Sequence, residues 1–270
     1  MRRTLTALAA LAASVALLAG CASGAPDTGA SAGPSVGASS APETQLEGEL
    51  TIYAAASLKA AFDDIAAEFE AANPGVDILP IVYDGSSTLV TQLSEGAGAD
   101  LFASADEANM DKAVAADLLA DDPVLFATNT LVIATPVDNP GQVADLADLA
   151  DPALNVVLCA PEVPCGAASI RLLDGAGVSV TAKSYEQNVT AVLTKVIEGV
   201  ADAGLVYRTD VAGHDDVESI VPEGADEVVS RYPIAVLADA PQPEIAAAFL
   251  AFVTGAEGQA ILAEYGFGAP

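Results

Sequence analysis

The feature that most constrains this chain is a rhythm in which short apolar stretches run into small or polar corners and then into amphipathic segments. The first instance is Thr51-Ile52-Tyr53-Ala54-Ala55-Ala56-Ser57-Leu58. Beyond it, Leu58, Phe62, Ile65 and Phe69 recur at helical spacing until Asn73-Pro74-Gly75 stops the helix. Ser57 stands where an N-cap serine belongs, and the N–H groups behind it face whatever lies beyond the strand end, an arrangement that suits an anion. Residues 76–83 read as a second strand, Asp84-Gly85-Ser86-Ser87-Thr88 as the next corner, and Leu89 and Leu93 as marks of a second helix. Residues 99–104 read as a third, mostly apolar strand, and a helix carrying Met110 and Val114 follows Asp106. Strands alternating with helices predict an α/β fold with a parallel sheet covered on both faces and ligands at the carboxyl ends of its strands.

The second half repeats the rhythm with different punctuation. Residues 128–134 read as a long strand, followed by Pro136, a short helix around 143–149 and a strand at 155–160. The loop Pro161-Glu162-Val163-Pro164-Cys165-Gly166 leads into the helix of Ile170 and Leu173, which a turn at Gly175-Ala176-Gly177 ends. Val189, Val192, Leu193, Val196 and Ile197 mark a helix that stops at Gly199, and Gly204-Leu205-Val206-Tyr207 is a strand ending in a tyrosine. One more strand at 231–237 and helices at 245–252 and 257–265 complete the chain. Together these predict two lobes joined by two long strands, with the last helices returning to the first lobe and a cleft between.

Charge narrows the partners. Nine Lys+Arg against 38 Asp+Glu give a formal net charge of −29, which argues against nucleic acid, whose phosphates need a basic footprint. The same field opposes any long-range attraction of an anion, so an anion site here must rely on local dipoles, with exposed charges screened over about 10 Å. A solvated acidic surface is the plainer meaning of the charge.

The N-terminus reads as an export signal. Met1-Arg2-Arg3 is positive, residues 5–18 are apolar, and Leu18-Ala19-Gly20-Cys21 closes the segment. It resembles a bacterial lipoprotein signal peptide over residues 1–20 with Cys21 as the lipidated first residue, against an ordinary secretory peptide or a membrane helix, for which it is short. Its removal takes Arg2 and Arg3 and leaves 7 − 38 = −31. Residues 21–46, rich in Ala, Gly, Ser and Pro, form a flexible tether spanning roughly 25–30 Å, and the folded part is expected near Glu47. Three cysteines less Cys21 leave Cys159 and Cys165, close enough in an exported protein for a disulfide. A two-cysteine metal site is the alternative, but the sole histidine, His214, offers no ligand spacing to them.

Several motifs taken in order carry a family resemblance: Ala54-Ala55-Ala56-Ser57-Leu58, Gly85-Ser86-Ser87-Thr88-Leu89, Ala99-Asp100-Leu101-Phe102-Ala103-Ser104-Ala105-Asp106, Asn129-Thr130-Leu131-Val132, Gly204-Leu205-Val206-Tyr207 and Tyr232-Pro233-Ile234, with the ending Gly258-Gln259-Ala260-Ile261-Leu262-Ala263-Glu264-Tyr265-Gly266-Phe267. Over roughly residues 48–268 the chain resembles the periplasmic molybdate-binding proteins of ABC importers. The resemblance implies a type II periplasmic-binding fold: an α/β lobe from 47–130 and 231–270, a second from 131–230, two crossover strands, and a tetrahedral oxyanion in the cleft. It implies a lipid-anchored monomer at the outer face of the bacterial cytoplasmic membrane that captures molybdate or tungstate for an ABC permease and its ATPase, with no catalytic activity, no cofactor and no cation ligands. The molybdate-binding residues it implies are Ser57, Ser86, Cys165, Val189 and Tyr207. Cys165 departs from the alanine expected there, which matters little if only its N–H is used; a bond to Cys159 would clamp that loop.

These residue types suit the chemistry. Molybdate at neutral pH is a dianion with four acceptor oxygens and no proton, and hydroxyls and backbone N–H groups are donors. None of the five is Lys or Arg, so no fixed counter-charge has to be desolvated, and each hydrogen bond to an ionised acceptor contributes about 1.5–3 kcal/mol. Phosphate usually keeps a proton and wants an acceptor, so with no carboxylate among the five its rejection is expected. Sulfate differs only in size, which makes a sulfate receptor the nearest alternative. The plainer roles are helix caps for Ser57 and Ser86 and core positions for Val189 and Tyr207. A secreted hydrolase would want a nucleophile elbow, which is lacking, and a ferric-ion receptor would want clustered tyrosines, whereas Tyr207 is followed by Arg208.

Overall fold

The computed structural model describes residues 45–270; the signal peptide, Cys21 and almost all of the tether lie outside the described residues. The chain enters through β1 (Gly48–Leu50) and β2 (Ile52–Ala55), passes a 3-10 turn at Ala56–Leu58, and continues as α1 (Lys59–Ala72). The expected apolar stripe of Phe62, Ile65 and Phe69 is buried, and Asn73 ends the helix by donating its Nδ2 to the Phe69 carbonyl at 2.9 Å. Residues 76–83 are not one strand. β3 (Val76–Ile78) pairs with β1, while β4 (Val82–Asp84) pairs with β2 in another sheet, because Pro80 between them has no N–H for a ladder.

Next come α2 (Ser86–Ser94), β5 (Leu101–Ala103), α3 (Glu107–Ala115) and β6 (Val124–Asn129). Asp106 caps α3 by accepting the Asn109 N–H at 3.0 Å. The stretch 128–134, read as one strand, is the end of β6 and the start of β7 (Leu131–Pro136), and the two belong to different sheets. Thr130 alone separates the two strands, and the polar Asn129-Thr130 step is the only local mark of the crossing.

The second lobe holds β7, β8 (Val156–Cys159), α4 (Pro164–Ala176), β9 (Ser184–Glu186), α5 (Val189–Ile197), β10 (Ala203–Tyr207) and β11 (Val217–Ile220), in sheet order β11-β7-β10-β8-β9. The helix expected at 143–149 is only a 3-10 turn at Asp148–Ala150. The carboxylates of Asp148 and Asp145 accept the N–H groups of Ala144 and Ala147, local bonds that compete with a helix. α4 starts at Pro164, so Cys165 lies in a helix first turn and not in the preceding loop; proline suits that first position because its missing N–H would be unpaired there.

β12 (Ser230–Val236) returns the chain to the first sheet, completing the order β4-β2-β5-β12-β6, and α6 (Pro243–Thr254) and α7 (Ala256–Glu264) pack behind it. Both sheets are mixed where parallel ones were expected. β2 runs parallel to β4 and β5, and β8 to β9 and β10, but β12 is antiparallel to β5 and β6, and β7 to β10 and β11. The antiparallel partners include the strands that follow each crossing between lobes, and a run buried on both faces carries no direction in its sequence. Aromatic rings tie the lobes' seam to the core: Tyr207 packs edge-on to Tyr232, Tyr232 to Phe126, and Phe126 against Phe62, at centroid distances of 5.9, 6.3 and 5.7 Å.

Candidate anion site

All five residues anticipated from sequence line one small cavity, of about 10 Å³, where the two lobes meet. That is about the room of one water-sized sphere, so the cleft is nearly closed and nothing larger than a small ion belongs in it. No Lys, Arg or His lines it.

Ser57 belongs to the 3-10 turn and does not cap α1, whose start has no side-chain cap. Its Oγ lies 2.9 Å from the hydroxyl of Tyr232, and both are buried. Asn129 at the end of β6 donates Nδ2 to the Thr209 hydroxyl at 2.8 Å and to Tyr232 Oη at 3.4 Å. Either hydroxyl can donate in the Ser57–Tyr232 bond; with the Tyr232 proton on Ser57 Oγ, the Ser57 proton is left for the cavity.

Ser86 is the first residue of α2 and fully buried; its Oγ accepts the Ala105 N–H at 3.0 Å, which leaves its proton to donate. In α4, Pro164 has no N–H, so the first helix donor is Cys165. Cys165 is bonded to Cys159, which pins the start of α4 to the end of β8. A Cβ on Gly166 would fall 1.9 Å from the Ala160 carbonyl oxygen, so only glycine lets this turn sit so close to the strand end. Val189 opens α5 behind Asn188, whose Oδ1 accepts the Ala191 N–H at 2.9 Å and leaves the Val189 N–H uncapped. Tyr207 ends β10 with its ring buried; Ser230 Oγ approaches its hydroxyl at 3.5 Å, and its N–H donates to Asp210 Oδ2 at 2.8 Å.

The N-termini of α2, α4 and α5 therefore converge on one cavity, each bringing about half a positive charge and unpaired N–H groups. Burial holds the Tyr207 and Tyr232 hydroxyls well above the usual tyrosine range, so both stay protonated. Burial also pushes the Asp210 carboxyl up to about 7, against the lowering effect of the Tyr207 N–H. Asp210 and Ser57 share the neighbouring concavity.

Sequence reasoning missed Asp84. It lines the cavity at the end of β4, a carboxylate where only neutral donors were expected. Its Oδ1 accepts the Gly85 N–H at 2.7 Å and Asn188 Nδ2 at 2.8 Å. Its place as the first residue of the second corner was the only sequence signal. Tyr232 and Asn129 were also missed as site residues, although both fall within motifs that carried the resemblance.

The family model for bacterial extracellular solute-binding proteins matches residues 50–268. The molybdate-binding protein of Mycobacterium tuberculosis is 48% identical over 229 residues, covering 84% of this chain and 87% of that protein. The periplasmic molybdate-binding protein of Azotobacter vinelandii superposes with a TM-score of 0.71 at 19% identity, over 82% of this chain and 99% of that one. The sulfate-binding protein of Mycobacterium tuberculosis gives 0.71 at 19% identity over 81% and 86%. At such identities the two structures speak to the shared fold, that of two-lobed periplasmic binding proteins. The chain belongs to the family of bacterial extracellular solute-binding proteins, together with the mycobacterial molybdate-binding protein.

Proposed function

We propose that this chain captures molybdate in the cleft and delivers it to an ABC permease and its ATPase, as a monomer tethered by a lipid on Cys21 at the outer face of the cytoplasmic membrane. The observation that carries the reading is the convergence of Ser57, Ser86, Cys165, Val189 and Tyr207 on one cavity with hydroxyl and N–H donors and no cation. A fully deprotonated tetrahedral dianion is the ligand that uses such donors and nothing else. Residues 47–130 with 231–270, and residues 131–230, are the two bodies that close; closure completes the donor set and forms the surface the permease reads. Tungstate, with the same charge and nearly the same size, binds as well.

Asp84 favours one second reading, an oxyanion that keeps a proton, such as hydrogen phosphate. Against it, Oδ1 of Asp84 is already taken by two N–H donors. Calorimetric titration of the protein with molybdate, tungstate, sulfate and phosphate tests both. The proposal expects tight molybdate and tungstate binding with sulfate far weaker and phosphate undetectable. Sulfate binding as tightly as molybdate, or phosphate binding tightest, overturns it.

A further inference from the structure

We propose that Asp84 and Asn188 form a latch between the two lobes that sets how long the bound anion stays; this rests on the molybdate reading above. The residues stand 104 apart in sequence, and Asn188 Nδ2 donates to Asp84 Oδ1 at 2.8 Å. Each is also fixed to its own lobe. Asp84 Oδ1 accepts the Gly85 N–H at 2.7 Å, within the corner that presents Ser86. Asn188 Oδ1 accepts the Ala191 N–H at 2.9 Å, capping the helix that presents Val189. One hydrogen bond therefore ties the donor corner of lobe 1 to a donor helix of lobe 2.

Two further observations support a latch over a plain cap. The backbones meet at the same point, since a Cβ on Gly85 would lie 2.1 Å from the Gln187 carbonyl oxygen. Asp84 also has no cationic partner among the described residues, whose ion pairs are Lys59 with Asp63, Lys195 with Glu186 and Arg231 with Glu107. A carboxylate on the wall of an anion site opposes binding unless donors quench it. When the lobes part, Asp84 loses the Asn188 donor and its charge bears on the anion, so opening favours release.

The test reads the molybdate dissociation rate by stopped-flow, using tyrosine fluorescence in a protein without Trp. Asn188→Asp keeps a good N-cap but removes the Nδ2 donor and sets a carboxylate against Asp84. The pair Asp84→Asn with Asn188→Asp exchanges donor and acceptor and keeps the wild-type charge. Expected is dissociation about 10- to 100-fold faster in Asn188→Asp, from the loss of one charge-assisted bond, and a return to within about threefold of wild type in the exchanged pair. An unchanged rate in Asn188→Asp, or an exchanged pair as fast as the single variant, overturns the latch. Wild-type protein run alongside separates the claims: absence of molybdate binding there defeats the proposed function, whereas wild-type binding with a failed exchange defeats the latch alone.

Discussion

Replacing Gly85 by alanine adds one methyl group at the point where the lobes touch. The backbone at Gly85, φ −61° and ψ 136°, is one any residue adopts, so the variant should fold and leave the stability of the separate lobes intact. In the closed form, however, the new Cβ would sit 2.1 Å from the Gln187 carbonyl oxygen and 3.2 Å from Val163 Cγ1. Ordinary contact lies near 3.5 Å, so the lobes must part by about 1.4 Å at the seam. A hydrogen bond of about 2.8 Å stretched that far is lost. An anion held by Ser57 and Ser86 would then miss the lobe 2 donors Cys165, Val189 and Tyr207. At the low end of about 1.5 kcal/mol each, three bonds are worth about 4.5 kcal/mol, or roughly 2,000-fold in affinity. Calorimetry of Gly85→Ala against wild type measures this, with the thermal midpoint of unliganded protein as the folding control. Affinity within about tenfold of wild type in a normally folded variant would refute the closure geometry.

Single-donor changes should be smaller: Ser57→Ala, Ser86→Ala and Tyr207→Phe each weaken molybdate binding about 10- to 100-fold by titration, one bond at a time. Opening the Cys159–Cys165 bond, by reduction or paired serine substitution, removes a crosslink of sequence separation 6 and should lower unfolding free energy by about 2 kcal/mol in denaturant melts. Because Cys165 offers a backbone N–H, affinity should fall less than about tenfold, and a 100-fold loss would show the clamp itself to be essential. Asp210, raised to about 7 from a usual value of 3.8 by burial, holds more protons folded than unfolded between those values. Its contribution to stability therefore declines as pH rises from about 4 to about 7. Asp210→Asn should flatten that part of the pH–stability curve relative to wild type, which chemical denaturation at stepped pH would reveal.

The corners of the site were legible because each is a local pattern: Ala54-Ala55-Ala56-Ser57 and Gly85-Ser86 end one periodicity and begin another within a few residues. The helix start at Val189 and the strand end at Tyr207 were legible for the same reason. What the pattern did not carry is long-range pairing. Ser57 looked like a cap because its real partner, Tyr232, lies 175 residues away. Asp84 looked like ordinary corner chemistry because its partner Asn188 lies 104 residues away. The crossing at Thr130 was hidden because that single residue separates two strands that belong to different sheets. Antiparallel neighbours were missed likewise, since hydrophobicity records burial and not direction.

A crystal structure of the protein with molybdate, with the metal located by its anomalous scattering, tests the central claim most directly. The account predicts one molybdenum in the cavity between the lobes, its oxygens within hydrogen-bond reach of the Ser57, Ser86 and Tyr207 hydroxyls and of the Cys165 and Val189 N–H groups. Molybdenum outside that cavity, or within it but held by charged side chains while those five donors stand idle, would contradict it.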